Sequence, residues 1–320
     1  MKKIILDTDI GPDCDDAAAL AMLNLYADEG LCEILAVGHC TSNPYGAGAI
    51  DAINIYYGRP NIPIGTFKGE GFLTEEGHMS YNKYLTETMP NRYKECQPED
   101  VVDVYRRVLA EQEDNSVEMI AIGPLNNLSN LLLSTADNYS NLNGIELVEK
   151  KISKLTIMGG LIGDNIIDEL RESAMSMIHH DLSEAKEFNI VCDVEASINV
   201  AGNWPTPMDY LTFESGVMKT GKPLQTEVPE DHPVRIAYDR YPGAKEGDRC
   251  SWDLVTVESA VVPNCSHYTY SKEGKITVTE EGVTRYTSDC DKGHRYVKIA
   301  EPVKKIVDDI NRLLVTMPRR

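Results

Sequence analysis

Short apolar runs alternate with helix-periodic stretches through the first two thirds of the chain. Ile4 to Leu6, Glu33 to Gly38, Val117 to Ile122 and Leu155 to Met158 read as buried strands. Asp16 to Tyr26, Ala47 to Tyr57 and Pro98 to Glu111 read as the helices between them, the last with Val101, Val102, Tyr105, Val108 and Leu109 at helical spacing. This βαβ rhythm predicts one α/β domain over residues 1–320, with a mixed, mainly parallel sheet of Rossmann-like order and helices on both faces. Three polar stretches rich in Gly, Pro and charge, 66–97, 163–181 and 225–249, are too long for ordinary connections. They are expected as lids over a site at the carboxyl ends of the strands. Within 268–286, Lys275 to Thr279 and Val283 to Tyr286 alternate around Glu280-Glu281-Gly282 as a hairpin. A closing helix is expected from Glu301 to Leu314, with Val303, Ile306, Val307, Ile310, Leu313 and Leu314 on one face.

Charge narrows the class of partner. With 31 Lys and Arg against 51 Asp and Glu, the net charge is −20 and no basic stripe is available to neutralise phosphates, so nucleic acid is not an expected partner. A neutral small substrate, or one bridged by a metal, fits better. Eight cysteines (14, 32, 40, 96, 192, 250, 265, 290) include no Cys-x-x-Cys pair, which argues against a zinc ribbon or a disulfide framework and for reduced, cytoplasmic thiols. No apolar run reaches membrane-spanning length, and Met1-Lys2-Lys3 followed by Ile4-Ile5-Leu6-Asp7 has charges where a signal peptide's apolar centre would continue. A soluble, untargeted protein with no membrane partner is expected, although a chain trimmed of a leader would look the same.

Asp7, Asp9, Asp13, Asp15 and Asp16 fall within ten residues, directly after the first apolar run. Carboxylates that close repel one another unless a cation neutralises them. A strand, a turn on Gly11 and Pro12, and an Ala-rich helix would gather several of these oxygens around one point. Calcium or magnesium, hard divalent cations, prefer such all-oxygen sites. The plainer reading is a solvated acidic turn in which Asp15 or Asp16 caps the helix. The position at the carboxyl end of the first strand favours the cation, because ligands of open α/β sheets bind at that edge.

The start Asp7-Thr8-Asp9-x-Gly11 with Asp15-Asp16-Ala17 resembles the metal loop of the inosine–uridine-preferring nucleoside hydrolases. Further segments follow in that family's order over most of the chain: Glu33 to Asn43, Ile122-Gly123-Pro124-Leu125-Asn126-Asn127-Leu128, Met158-Gly159-Gly160, Glu187-Phe188-Asn189-Ile190 with Asp193-x-Glu195-Ala196, and Ser251-Trp252-Asp253. The resemblance implies hydrolysis of a ribonucleoside to ribose and a free base, in purine or pyrimidine salvage, by a homodimer or homotetramer. It implies a calcium ion, with magnesium as the other hard candidate, that binds the water nucleophile and the ribose 2′- and 3′-hydroxyls. Carried over by position, Asp9, Asp16, Asp253 and the carbonyl of Ile122 would hold the ion. Asp15 would be the general base, with Asp13 as competitor because this chain has two extra residues between Gly11 and the Asp15-Asp16 pair. Asn43, Met158, Asn165, Glu187, Asn189 and Trp252 would line the substrate.

The chain departs from that pattern where a histidine often protonates the leaving base: Trp252 stands there, able to stack on a base but not to act as an acid. His179, His180, His232, Tyr238 and Arg235 in the lids, and His267 and His294 near the hairpin, are the substitutes on offer, each otherwise a surface or structural side chain. Glu187-Phe188-Asn189 alone would read as a helix ended by Asn, and Met158 as a core thioether. Two alternatives stay open. Asp7-x-Asp9 with Gly163-Asp164-x-x-x-Asp168 also resembles a haloacid-dehalogenase-type phosphatase, with Asp7 as nucleophile, Asp9 as acid–base and Asp164 near the ion. The other is a non-catalytic nucleoside or ribose binder.

Overall fold

Alternation within the first strand organises the molecule. In a computed structural model, which describes every residue except 179–181, 245, 291 and 320, β1 (Lys2–Thr8) turns Ile4 and Leu6 to one face of a sheet and Ile5 to the other. The strands that follow are β2 (Cys32–His39), β3 (Ile64–Thr66), β4 (Glu99–Asp100), β5 (Val117–Ala121), β6 (Ile152–Met158), β7 (Met208–Leu211), β8 (Lys219–Thr220), β9 (Arg249–Cys250), β10 (Tyr268–Tyr270), β11 (Lys275–Val278), β12 (Thr284–Thr287) and β13 (His294–Ile299). Nine of them form one sheet in the order β10-β13-β7-β6-β5-β1-β2-β3-β4, parallel throughout except where β10 meets β13. This is the mixed, mainly parallel sheet expected from sequence, in a single domain with helices on both faces. β11 and β12 pair antiparallel as the predicted hairpin, and β8 and β9 form a small separate pair.

From β1 the chain builds outward to β2, β3 and β4, then returns to place β5 on β1's other side. That reversal leaves a crevice at the carboxyl ends of β1 and β5, the position where open α/β sheets bind ligands. Helices Asp15–Asp28 and Trp252–Val261 pack against each other on the face that holds Ile4 and Leu6. Asp15 to Tyr26 and Trp252 to Val261 are buried without interruption. The second helix was not predicted, because a segment buried on every side carries no clear amphipathic period.

Boundaries moved where local chemistry set them. The helix expected from Pro98 starts at Val101, because the Asp100 carboxylate caps it by accepting from the Val102 amide at 2.8 Å, while Glu99 and Asp100 pair as β4. The three stretches expected as lids hold helices of their own: Asn82–Thr88, Asp168–Met177 and Pro233–Arg240. The first is tied down firmly. Asp51, buried in helix Gly46–Tyr56, accepts from the Arg92 side chain at 2.6 and 3.0 Å and from its backbone amide at 2.7 Å.

Candidate active site

The acidic loop after β1 owes its shape to one glycine and to the segment over it. Gly11 has φ +149°, and a Cβ there would lie 2.6 Å from Asn82 Nδ2 and 2.7 Å from the His78 carbonyl oxygen. Asn82 Nδ2 donates to the Ile10 carbonyl at 3.2 Å, and the Tyr81 hydroxyl donates to the Asp13 carbonyl at 2.5 Å. From below, the Thr8 hydroxyl donates to Asp16 and accepts from the Ile10 amide at 3.1 Å.

Four carboxylates converge there. Asp9, Asp15, Asp16 and Asp253 are each at most 4 % exposed, and oxygens of Asp15, Asp16 and Asp253 lie within 4.8 Å of one another. Asp15, Asp16 and Asp253 open the two buried helices, so the positive ends of two helix dipoles face the cluster. The Asp253 amide donates to Asp15 Oδ2 at 3.2 Å. Burial first, then mutual repulsion, pushes Asp15, Asp16 and Asp253 well above the carboxylate range, and burial raises Asp9 to about 7. Among the described residues no lysine or arginine forms an ion pair with any of the four. Buried, hard, negative oxygens without a counter-charge are the donor set of a hard divalent cation, and Ile122, directly after β5, borders the same cavity. The residues present fit such an ion.

Asp13 is engaged differently. Its carboxylate takes both Nε and Nη2 of Arg249, with Nε at 2.8 and 3.0 Å from its two oxygens, so its charge is already matched. Arg249 lies over the rings of Trp252 (5.1 Å) and Tyr241 (5.5 Å).

The four aspartates form the floor of a cavity of about 340 Å³. One wall is Met158, Glu187 and Asn189. Gly160, at φ +80°, directs its amide to Glu187 at 3.1 Å, and the Asn189 and Ile190 amides donate to the same carboxylate at 2.8 and 3.1 Å. Glu187 thus starts helix Phe188–Cys192, whereas the sequence suggested Asn189 ending one. Burial raises Glu187 to about 7 against the pull of these amides. Asn189 Nδ2 sits 3.2 Å from both the carbonyl and the sulfur of Met158. Aromatic rings also line the cavity: Trp252 stacks on Phe213 at 5.5 Å and donates Nε1–H to the Phe213 carbonyl at 2.8 Å, and Tyr241 and Phe188 border the same space.

Ten of the twelve candidate residues therefore border one cavity. Asn43 and Asn165 do not. Asn43 donates to the His78 carbonyl at 3.0 Å, and Asn165 Nδ2 lies 2.9 to 3.2 Å from Val297 O, Ser215 Oγ and Thr212 Oγ1, so both amides hold loops together. Of the substitute acids, His232, Tyr238, Arg235, His267 and His294 lie outside the cavity, and His179 and His180 fall outside the described residues. Sequence reasoning passed over His78, which borders the cavity from the 66–97 stretch with Nδ1 at 3.0 Å from Glu75. Its signal was its place in a stretch already marked as a lid. The 225–249 stretch supplies Tyr241 and Arg249, whereas 163–181 supplies no lining residue among those described.

The phosphatase alternative fails on placement. Asp7 does not border the cavity: its carboxylate accepts from the Tyr105 hydroxyl and from Asn127 at 2.8 Å. Asp253, not the exposed Asp164, joins the cluster.

Solved structures of the same fold span nearly the whole chain. An inosine-uridine preferring nucleoside hydrolase from Bacillus anthracis superposes with a TM-score of 0.68 at 17% identity, covering 98% of this chain and 99% of that one. A purine-preferring ribonucleoside hydrolase from Gardnerella vaginalis gives 0.71 at 17% identity, covering 98% of each. The type III effector protein XopQ, solved in complex with adenosine diphosphate ribose, gives 0.67 at 14% identity, covering 99% and 93%. No curated protein matches the sequence significantly. The model of the inosine-uridine preferring nucleoside hydrolase family matches residues 4–285, a span that includes every residue lining the cavity. The chain belongs to the inosine-uridine preferring nucleoside hydrolase family, a family of N-glycosyl hydrolases.

Proposed function

We propose that the protein hydrolyses the N-glycosidic bond of a ribonucleoside in a cation-dependent reaction, with Asp15 as general base. The observation that carries this reading is the cluster of Asp9, Asp15, Asp16 and Asp253 in a cavity lined by both polar and aromatic side chains. Asp9, Asp16, Asp253 and the Ile122 carbonyl would hold a calcium or magnesium ion, which when bound supplies positive charge to orient sugar hydroxyls and acidify a water. Asp15 faces that point with a carboxylate free of any ion pair and receives the proton of the attacking water; Asp13, matched to Arg249, is a poorer base.

Glu187 and Asn189 hold the ribose. Bond cleavage builds positive charge on the sugar ring, so a negative, pre-oriented wall on that side favours the transition state. Trp252, Phe213 and Tyr241 stack on the base. His78, paired with Glu75, is the cavity's imidazole and the group we assign to protonating the departing base in place of Trp252. The 66–97 and 225–249 stretches act as lids that exclude water. Asn43 and Asn165 support the site at one remove. The same reading makes this a salvage enzyme of the cytoplasm that works as a homodimer or homotetramer. Eight unpaired cysteines support the reducing compartment.

The test is release of reducing sugar from a panel of purine and pyrimidine ribonucleosides, with calcium and with a chelator. Chelator-sensitive ribose release is expected and names the base. Calcium binding without release from any nucleoside would return the non-catalytic binder to first place.

A further inference from the structure

Helix Trp252–Val261 leaves the cavity at Asp253 and ends at the other edge of the sheet, where the Ala260 carbonyl accepts from Lys2 Nζ, at the start of β1, at 2.6 Å. Near that end stands a second cluster, built from different chemistry. Glu258, Cys265 and His267 each offer a donor atom, all within 4.8 Å of one another. Glu258 and His267 are buried, and Cys265 is half-buried, which leaves a path from solvent. We propose that Glu258, Cys265 and His267 form a second metal site, for a zinc-class divalent cation, at the edge of the sheet opposite the catalytic cavity.

Three features of the cluster suit a bound cation. The first is spacing: His267 Nδ1 and Glu258 Oε2 are 3.0 Å apart, close to the edge of about 3.3 Å that a tetrahedral ion with ligands at about 2.0 Å demands. The second is support behind each ligand. His267 turns its other nitrogen to Asp309 Oδ2 at 3.1 Å, the carboxylate–histidine arrangement that fixes a metal-binding ring. The Tyr268 hydroxyl fixes Glu258 at 2.5 Å, and the His267 backbone amide faces the Cys265 sulfur, opposing the burial that raises the metal-free thiol to about 11. The third is charge. Glu258 and a Cys265 thiolate together match a divalent cation around a neutral imidazole, while Asp309 is balanced separately by Arg312 at 2.9 Å and Lys305 at 3.6 Å. Binding displaces two protons, the one on Cys265 Sγ and the one between His267 Nδ1 and Glu258. Sulfur and imidazole select zinc, copper or cobalt over the hard cations suited to the four aspartates, so the two sites would not compete for one metal.

Cobalt(II) is the probe, because a sulfur ligand gives it a near-ultraviolet charge-transfer band that an all-oxygen site cannot. The full-length protein is stripped with a chelator, saturated with calcium, and titrated with cobalt(II). The expected result is a sulfur-to-cobalt band and intense tetrahedral visible bands saturating at one equivalent per chain and displaced by zinc. Cys265→Ser should abolish the ultraviolet band, whereas replacing the exposed Cys96 and Cys290 by serine should keep it. If Cys265→Ser does not fold, His267→Gln, which keeps the thiol, should still lose the tetrahedral bands. No sulfur-to-cobalt band in the wild-type chain, or a band that survives Cys265→Ser, overturns the proposal and leaves a proton-bridged network. Ribose release measured alongside separates this failure from a failure of the hydrolase reading, since no residue of the cluster borders the catalytic cavity.

Discussion

The two aspartates competing to be the base differ by one neighbour. Asp15 faces buried carboxylates, whereas Asp13 faces a guanidinium, and that difference decides what each substitution should do. Asp15→Asn is expected to keep calcium binding and lower kcat by about 10²–10⁴-fold, the usual worth of a general base. Asp13→Asn, which keeps a shape Arg249 can hold, should leave calcium affinity nearly unchanged and lower the rate far less. Calorimetric titration with calcium beside steady-state kinetics reads both effects, and the reverse ranking would transfer the role to Asp13. Asp9→Ala or Asp253→Ala should lose ion binding and activity together. At this scale the sequence was a good guide to residues clustered in the first turn and the Glu187 segment. It was a poor one for Arg249 and His78, whose importance lies in which partner the fold brings to them.

At the scale of elements, the loop after β1 is a moulded part, and its mould is the 66–97 stretch. Gly11→Ala places a methyl group against Asn82 and the His78 carbonyl in a backbone conformation that alanine avoids. It should cost upwards of about 1 kcal/mol in stability and sharply reduce calcium affinity, measured by chemical denaturation and titration of the same variant. Arg92→Ala should cost about 1–3 kcal/mol, because it leaves the buried Asp51 carboxylate without its side-chain partner. A loss under 1 kcal/mol would mean that this stretch is less firmly anchored than its hydrogen bonds indicate. Elements with a strong period were legible: β1, β2, the hairpin and the final helix fall within a few residues of expectation. Those missed lacked the signal. β3 and β4 span three and two residues, and helix Trp252–Val261 is buried on all sides, so each is defined by the neighbours it meets.

At the scale of the whole molecule, stability is expected to respond to both cation and proton. A cation that binds only the folded chain at 100 times its dissociation constant adds about 2.7 kcal/mol, so calcium should raise the melting temperature by several degrees and a chelator should reverse it. His232, wholly buried with Nε2 3.2 Å from the Tyr57 hydroxyl, is pushed by burial down to about 4. The unfolded chain therefore takes up this proton near pH 6.5 and the folded chain only near pH 4, so the contribution is complete above 6.5 and is lost as pH falls through that window. By pH 5 the loss is about 2 kcal/mol, and His232→Gln should show a correspondingly smaller drop in denaturant midpoint between pH 7 and pH 5. The convergence of the two buried helices also orders events during synthesis. Asp15 and its partner Asp253 are 238 residues apart in the chain, so at 5–20 residues per second the first aspartates wait roughly ten to fifty seconds for the last. Throughout that interval the growing chain holds an acidic loop whose last carboxylate is still to come, so any cation the four aspartates hold would be captured only once most of the polypeptide has been made.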